Sequence, residues 1–225
     1  MRFAVITFPG SNCDMDMFYA IRDVIKSDVN IVRHSEDNLD KYDVIILPGG
    51  FTYGDYLRSG AMAALANIIP AVKKASDQNK PIIGVCNGFQ ILTEIGLLPG
   101  VLLRNKGMKF ISSKAKLKVV NANTVFTREY DENEIIDIPI AHSMGNYYTS
   151  TDVMDEIKQN NQVVFKYVDN QNGSLMDIAG IVNKKGNVLG MMPHPERAVE
   201  AIISGTDGIR LFDGVVKGSR NVYSN

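Results

Sequence analysis

A cysteine in a glycine-flanked turn and a histidine far along the chain are the residues of this sequence best suited to chemistry. Cys86 stands between Gly84 and Gly88, after an apolar run and before a stretch with helical spacing of apolar residues. A nucleophile on such a strand-to-helix turn is presented at the positive end of the helix, which favours the thiolate over the thiol. His194 can act as the base, and Glu196 can orient it through a hydrogen bond. These three residues predict acyl transfer by a cysteine nucleophile.

A glycine pair after another apolar run offers groups that would bind an oxyanion. In the sequence Pro48-Gly-Gly-Phe51, the glycines permit a tight turn after a strand and also leave their N–H groups unhindered. The N–H groups of Gly49 or Gly50, joined by that of Asn87 directly after the cysteine, would form an oxyanion hole. The residues fit either a simple tight turn or an oxyanion hole, and we favour the oxyanion hole.

Two other sets of polar residues have two interpretations each. The stretch His142-Ser-Met-Gly-Asn146 follows a strand end, and it either lines the same pocket or forms a polar turn. Tyr53, Asp55 and Arg58 lie in a loop that belongs either to a pocket or interface, or to the solvated surface. Cys13 lies in a loop without an elbow, so we do not expect it to be catalytic.

Composition argues against several classes of protein. With 225 residues, 45% apolar and 22% charged, the chain is predicted to form a single domain over residues 1–225. A net charge of -1 does not suggest a nucleic-acid or acidic-membrane partner, and no apolar run approaches the roughly 20 residues of a membrane span. The cysteines and histidines match no zinc signature, so we expect no metal in this chain. No nucleotide-binding loop is present, so we expect no nucleotide to bind here. The first residues resemble a strand rather than a secretory signal, which favours a reducing, cytoplasmic setting.

Alternating strand and helix patterns must position these residues. Continuous apolar runs, which are typical of parallel strands buried on both faces, cover residues 2–8, 43–47 and 81–85. Helical spacing predicts helices over about 14–27, 60–78 and 87–96. The pattern predicts a doubly wound, mostly parallel α/β sheet, in which sites form beyond the carboxyl ends of the strands.

The second half of the sequence adds strands of a different kind. Partly alternating runs, at least some of them antiparallel, are predicted over residues 116–121, 135–140 and 163–168, with a helix near 151–161. A hairpin is predicted from 177–183 and 187–192, and its second strand delivers His194. A last helix covers about 207–217.

With these residues in place, the chain resembles the class I, or triad, glutamine amidotransferases over essentially its whole length. The cysteine elbow and His194-Pro-Glu196 are typical of that class as a whole. More narrowly, the chain is similar to the small, separate glutaminase subunits of phosphoribosylformylglycinamidine synthases. Four stretches carry this similarity: Phe8-Pro-Gly-Ser-Asn-Cys-Asp14, residues 48–60, Gly84-Val-Cys-Asn-Gly-Phe-Gln-Ile-Leu92 and Met192-Pro-His-Pro-Glu-Arg197.

The resemblance implies hydrolysis of L-glutamine to glutamate and ammonia. Cys86 would attack the side-chain amide, and His194 would protonate the leaving ammonia, which leaves a γ-glutamyl thioester. Water activated by His194 would then release glutamate, with Glu196 as the third member of the triad. The residues implied to bind the substrate are Gln90, Phe51, His142 and Gly145.

The resemblance also implies partners. Ammonia would pass to a large ATP-dependent synthetase subunit that converts formylglycinamide ribonucleotide to the amidine, and a small subunit would bridge the assembly. ATP and magnesium would belong to the large subunit, so this chain would carry no cofactor of its own. We expect partner contacts at the loops over residues 9–14, 52–60 and 143–146.

Three residues depart from the pattern of the family. Ser143 and Met144 replace a glycine and a carboxylate residue, and Ser59 stands where relatives often have cysteine. Two alternatives therefore accompany the main hypothesis: a non-catalytic interaction subunit of the same complex, or a free-standing cysteine amidohydrolase.

Overall fold

The computed structural model describes residues 1–220. Strands and helices alternate in the first half, whereas strands dominate the second half. The strands are β1 (Arg2–Thr7), β2 (Asp28–Arg33), β3 (Val44–Leu47), β4 (Ile82–Val85), β5 (Val101–Leu103), β6 (Ile111–Val119), β7 (Ile135–His142), β8 (Asn146–Tyr148), β9 (Val163–Tyr167), β10 (Ile178–Val182) and β11 (Val188–Met191). The helices are α1 (Asp14–Tyr19), α2 (Ile69–Asp77), α3 (Asn87–Glu94), α4 (Thr151–Gln159) and α5 (Ile209–Arg220).

Nine of the strands form one mixed sheet in the order β2-β1-β3-β4-β11-β10-β9-β6-β7. Neighbouring strands from β2 to β11 pair in parallel, and those from β11 to β7 pair antiparallel. The remaining strands, β5 and β8, form a separate antiparallel ribbon. The predicted fold class, a parallel α/β sheet with added antiparallel strands, is confirmed. The predicted hairpin is present as β10 and β11, and β11 returns the chain to the side of β4.

The centre of the sheet is built from the continuous apolar runs. All residues of β3, β4 and β11 are buried, because helices and loops cover both faces of a parallel sheet. Helix α1 packs against β1 and β2, and α3 packs against β3, β4 and β11. Helix α3 therefore lies beside the strand ends that carry the residues of chemical interest. None of the helices in residues 1–220 is long and apolar enough to cross a membrane.

Several predicted bounds are wrong, each for a local reason. The helix predicted over 60–78 begins only at Ile69, because Pro70 is favourable in the first turn of a helix and unfavourable further inside. The helix predicted over 14–27 ends at Tyr19 and continues as a π-helical turn over Ala20–Val24. Strand β2 was not predicted, because this edge strand alternates polar and apolar residues. Strand β6 begins at Ile111, before the predicted 116, and this start was missed because residues 112–114 are polar and exposed. The single domain stays a prediction, and residues 221–225 lie outside the described part.

Candidate active site

Three neighbouring strands end at one place, and each carries a predicted site residue. Strands β3, β4 and β11 are adjacent and parallel, so their carboxyl ends share one edge of the sheet. Gly49 and Gly50 follow β3, Cys86 follows β4, and His194 follows β11. Residues that are distant in the sequence are thus brought together by the strand order, which sequence patterns do not determine.

Cys86 occupies a strained turn between β4 and α3. Its backbone has φ 51° and ψ -105°, a conformation that L-residues adopt rarely and at a cost of about 1–3 kcal/mol. The N–H of Cys86 donates to the carbonyl of Met191 at 2.8 Å, and this bond ties the turn to β11. Within residues 1–220, the hydrogen-bond contact of the thiol is a long one, 3.8 Å to the carbonyl of Ala141. The sulfur is consequently held in place by its backbone rather than by a strong side-chain hydrogen bond.

His194 is held from two sides in the turn after β11. Its Nδ1 lies 2.7 Å from Oε1 of Glu196, and both side chains are buried. Its backbone N–H donates to the carbonyl of Pro139 at 2.8 Å. Since the carboxylate accepts, Nδ1 carries the proton and Nε2 is left for chemistry. Nε2 has no hydrogen-bond partner among the described residues.

Opposing influences act on the protonation of His194. Burial lowers its pKa, but the negative charge of the hydrogen-bonded Glu196 opposes burial, and the pKa is raised well above 6.5. Neither the Cys13 thiol nor the Cys86 thiol is placed to hydrogen bond to Nε2 in this structure. The surroundings of the ring therefore favour the imidazolium, the form that can donate a proton to a leaving group.

Backbone N–H groups beside Cys86 are free. Residues 10–13 pair with the loop after β3 through three bonds: Phe51 N–H donates to the Gly10 carbonyl at 2.9 Å, and the N–H groups of Asn12 and Cys13 donate to the Gly49 carbonyl at 3.4 and 3.2 Å. This register turns the N–H of Gly50 away from the paired segment. A side chain at Gly50 would come within 2.8 Å of the Gly10 carbonyl, and the residue has φ 154°. Within residues 1–220, the N–H groups of the oxyanion candidates Gly49, Gly50 and Asn87 donate to no protein acceptor.

These groups surround a small cavity of about 130 Å³. Its walls include the predicted residues Cys86, His194, Gly50 and Phe51, and Cys13 contributes a second thiol. The remaining wall residues are Asn12, Phe110, Ala141 and Arg197. A nucleophile, a histidine and free N–H groups around one cavity are the parts required for acyl transfer.

Comparison with known proteins agrees with this arrangement. Residues 1–206 match the family model described as the CobB/CobQ-like glutamine amidotransferase domain. The chain belongs to this glutamine amidotransferase family. A chain of the structure of PurLQS from Thermotoga maritima is 46% identical, with a TM-score of 0.90, covering 97% of this chain and 98% of that one.

More distant amidotransferases share the fold. The glutaminase domain of Trypanosoma brucei CTPS, solved with bound acivicin, is 14% identical with a TM-score of 0.60, covering 96% of this chain and 94% of that one. A glutamine amidotransferase from Thermotoga maritima is 16% identical with a TM-score of 0.61, covering 100% and 86%. The predicted resemblance to class I amidotransferases is therefore confirmed for fold and family.

Gln90 of this amidotransferase is not part of the cavity wall. Its Oε1 accepts from Nδ2 of Asn87 at 2.8 Å, and its Nε2 donates to the carbonyl of Met144 at 2.8 Å. Asn87 in turn accepts from the N–H of Thr52 at 3.1 Å. Both ends of the Gln90 amide are thus engaged in a buried chain of hydrogen bonds. These hydrogen bonds connect the loop after β3 to the loop over 143–146, which departs from the family pattern.

Two of the three departing residues, Ser59 and Met144, contact each other. The hydroxyl of Ser59 donates to the sulfur of Met144 at 3.1 Å. Ser59 belongs to a loop with unusual backbone, since Tyr53, Asp55 and Leu57 all have positive φ. Arg58 in the same loop forms a bidentate ion pair with Glu94 at 2.6 Å. The loop over 52–60 is therefore anchored to α3 and to the loop over 143–146 rather than merely solvated.

His142 and Gly145 are bound to Asn105, a fully buried residue that sequence patterns did not indicate. Oδ1 of Asn105 accepts from the Gly145 N–H at 3.0 Å and from Nδ1 of His142 at 3.1 Å, and its Nδ2 donates to the His142 carbonyl at 2.9 Å. The two predicted residues stand outside the cavity wall, which the neighbouring Ala141 reaches. Asn105 thus fixes the shape of the loop behind the wall, and an isolated asparagine gives no sequence signal for this.

His142 should make folding stability depend on pH. Burial, followed by the charge of His194, lowers the pKa of His142 to about 4 from 6.5. Between these values the unfolded chain binds a proton that the folded chain does not, so stability falls as the pH is lowered. We expect the free energy of unfolding to drop by about 2–3 kcal/mol more in the wild type than in His142→Gln between pH 7 and 4.5. Urea unfolding at both pH values measures this, and equal drops would contradict it.

Proposed function

We propose that this amidotransferase hydrolyses L-glutamine through a Cys86 thioester and supplies the ammonia to a biosynthetic partner. The observation that carries the proposal is the cavity where Cys86, His194 and the free N–H group of Gly50 meet. The cavity has a volume of about 130 Å³, many times the minimum of about 10–15 Å³ needed to hold one water molecule. This space suits a side-chain amide, and the amino-acid end of glutamine would extend towards the cavity mouth.

Each group would have a defined task in the reaction. The Cys86 thiolate attacks the amide carbon, and the oxyanion binds the N–H groups of Gly50 and Asn87, with Gly49 as the neighbouring candidate. His194 donates its Nε2 proton to the leaving ammonia, and the same nitrogen then takes a proton from the water that cleaves the thioester. Glu196 holds the ring and stabilises the imidazolium without taking the proton itself.

Four residues were expected to bind the substrate, and we propose different parts for them. Phe51 lines the cavity and would contact the aliphatic part of glutamine. Gln90, His142 and Gly145 would act from behind the wall by fixing the loop over 143–146. The main chain of that loop would then meet the amino-acid end of the substrate.

We further propose that the partner is the large ATP-dependent subunit of a phosphoribosylformylglycinamidine synthase, joined by a small bridging subunit. Support comes from the 46% identity to a chain of PurLQS and from apolar side chains near the site. Tyr56 and Leu57 are 67% and 75% exposed, and Phe110 at the cavity wall is 53% exposed. ATP and magnesium would bind to the large subunit, and this chain would need no cofactor for glutamine hydrolysis. Such a role in purine biosynthesis would place the chain in the cytoplasm.

Glutamate release from L-glutamine tests the proposal. We expect slow release by the chain alone and strong stimulation when both partner subunits, ribonucleotide and ATP are added. Folded protein that is silent in both states would favour the non-catalytic interaction subunit, for which the replacement of a family carboxylate by Met144 is the supporting observation. Fast hydrolysis of a different amide without partners would instead indicate a free-standing cysteine amidohydrolase.

A further inference from the structure

We propose that Asn87 is a positioning residue whose side chain sets the spacing between the two halves of the oxyanion hole. The inference rests on the proposed function, in which the main-chain N–H groups of Gly50 and Asn87 bind the oxyanion. Asn87 is fully buried at the first position of α3, directly after the nucleophile Cys86. Its main chain therefore supplies one of the donors, and its side chain is available for a second task.

The loop after β3, which carries the other donor, is held from two sides. Main-chain hydrogen bonds attach it to residues 9–13, the segment before α1. On the other side the N–H of Thr52 donates to Oδ1 of Asn87 at 3.1 Å, which joins the loop to α3. Gly50 belongs to this loop, whereas the N–H of Asn87 belongs to α3. The distance between the two oxyanion donors therefore depends on the Asn87 side chain.

The hydrogen bonds continue beyond Asn87 in one fixed direction. Its Nδ2 donates to Oε1 of Gln90 at 2.8 Å, and Nε2 of Gln90 donates to the carbonyl of Met144 at 2.8 Å. At one end of this series the Thr52 N–H can only donate, and at the other end the Met144 carbonyl can only accept. The orientation of both amides is thereby determined. A side chain of the same shape that lacks the donor at Nδ2 cannot replace Asn87.

The substitution Asn87→Asp removes this donor and keeps the shape and the acceptor for Thr52. The introduced carboxylate would face Oε1 of Gln90, so that two oxygens without a hydrogen between them meet. Either Gln90 turns round and loses Met144, or the loop after β3 moves away from α3. A protonated carboxyl group would restore the donor, since it both donates and accepts. Complete burial can raise the pKa of such a group from about 3.9 to about 7–9, within the range of an activity assay.

Glutamate release by the chain and by its assembled complex provides the kinetic test. At pH 8, Asn87→Asp should lower kcat about 10- to 100-fold and change the KM for glutamine less than about threefold, because the donors act mainly on the transition state. The ratio of variant to wild-type kcat should rise at least about threefold from pH 8 to pH 6. Taking this ratio removes the titration of Cys86 and His194. Asn87→Leu has no group to protonate, so its ratio should stay low and independent of pH.

Asn187 offers a matched control at the other end of β11. It is also buried, and its Nδ2 donates to the carbonyls of Ser76 and Lys80 at 2.9 and 3.2 Å. Asn187 precedes β11, whereas the candidate site follows it. Asn187→Asp should therefore keep kcat within about twofold of wild type, with every variant checked for cooperative thermal unfolding. An equal fall in kcat for Asn187→Asp and Asn87→Asp would overturn the proposal.

Amide hydrogen exchange tests the positioning without glutamine hydrolysis. The Thr52 N–H should exchange at least about tenfold faster in Asn87→Leu than in wild type, because its acceptor is gone, and should be unchanged in Asn187→Asp. Unchanged exchange in Asn87→Leu, or a wild-type kcat in Asn87→Asp, would overturn the proposal. A wild-type chain that shows the expected exchange but hydrolyses no glutamine would contradict only the proposed function.

Discussion

Replacement of Cys86 by alanine should abolish glutamine hydrolysis, with a fall in rate of at least about 10⁴-fold, as expected when a covalent nucleophile is removed. The cavity and the free N–H groups remain, but no thioester can form. In the assembled complex, product formation from added ammonium should survive, because the partner would carry out that step. Glutamate release and ammonium-dependent product formation, measured on one preparation, separate the two activities. Loss of both activities with the assembly intact would contradict the proposed division of labour.

Two variants serve as controls: one removes the other thiol of the cavity, and one relieves the backbone strain at residue 86. Cys13→Ala removes the other cavity thiol and should reduce glutamine hydrolysis by less than about tenfold, since Cys13 is not placed on an elbow. Cys86→Gly should be as inactive as Cys86→Ala but more stable by about 1 kcal/mol, because glycine tolerates the positive φ of 51° at this position. If both thiols proved equally necessary for hydrolysis, the assignment of Cys86 as the sole nucleophile would be wrong.

Local sequence patterns predicted the parts of the site that depend on local structure. The elbow at Cys86 requires small residues on both sides and a helix after it, and each of these is visible in a short stretch of sequence. The pairing of His194 with Glu196 requires only a spacing of two residues. Apolar runs likewise indicated β3, β4 and β11, whose ends carry the site.

Contacts between distant segments could not be predicted in this way. The hydrogen bonds of Asn105 to the loop over 143–146 join residues about 40 positions apart, and Cys13 contacts Arg197, which lies 184 positions later in the sequence. A polar side chain in a loop has the same sequence pattern whether it is solvated or buried at such a junction. Gln90 shows the same limit, because its family position suggested substrate contact whereas its amide is bound to Asn87 and Met144.

Gly88→Ala should be among the most destabilising single substitutions at the elbow. Helix α3 lies so close to β3 that a Cβ at Gly88 would stand 1.9 Å from the carbonyl oxygen of Leu47, which is backbone and cannot rotate away. Alanine is better than glycine inside a helix by about 1 kcal/mol, so helix propensity alone predicts stabilisation. The steric conflict outweighs this, and we expect a net loss of about 3 kcal/mol in the free energy of unfolding, the upper end for overpacked cores.

Relief of this conflict requires α3 to move away from β3, which separates Cys86 from Gly49 and Gly50. Glutamine hydrolysis should therefore fall by about 100-fold, because a displacement of about 1 Å is enough for such a loss. For a chain of this size, about 3 kcal/mol corresponds to a Tm lower by roughly 6–12 °C. Gly107→Ala is the matched control, since a Cβ there meets no atom within 4 Å, and it should change stability by no more than about 0.5 kcal/mol. If the two variants unfolded at the same temperature, the close contact between Gly88 of α3 and Leu47 of β3 would be contradicted.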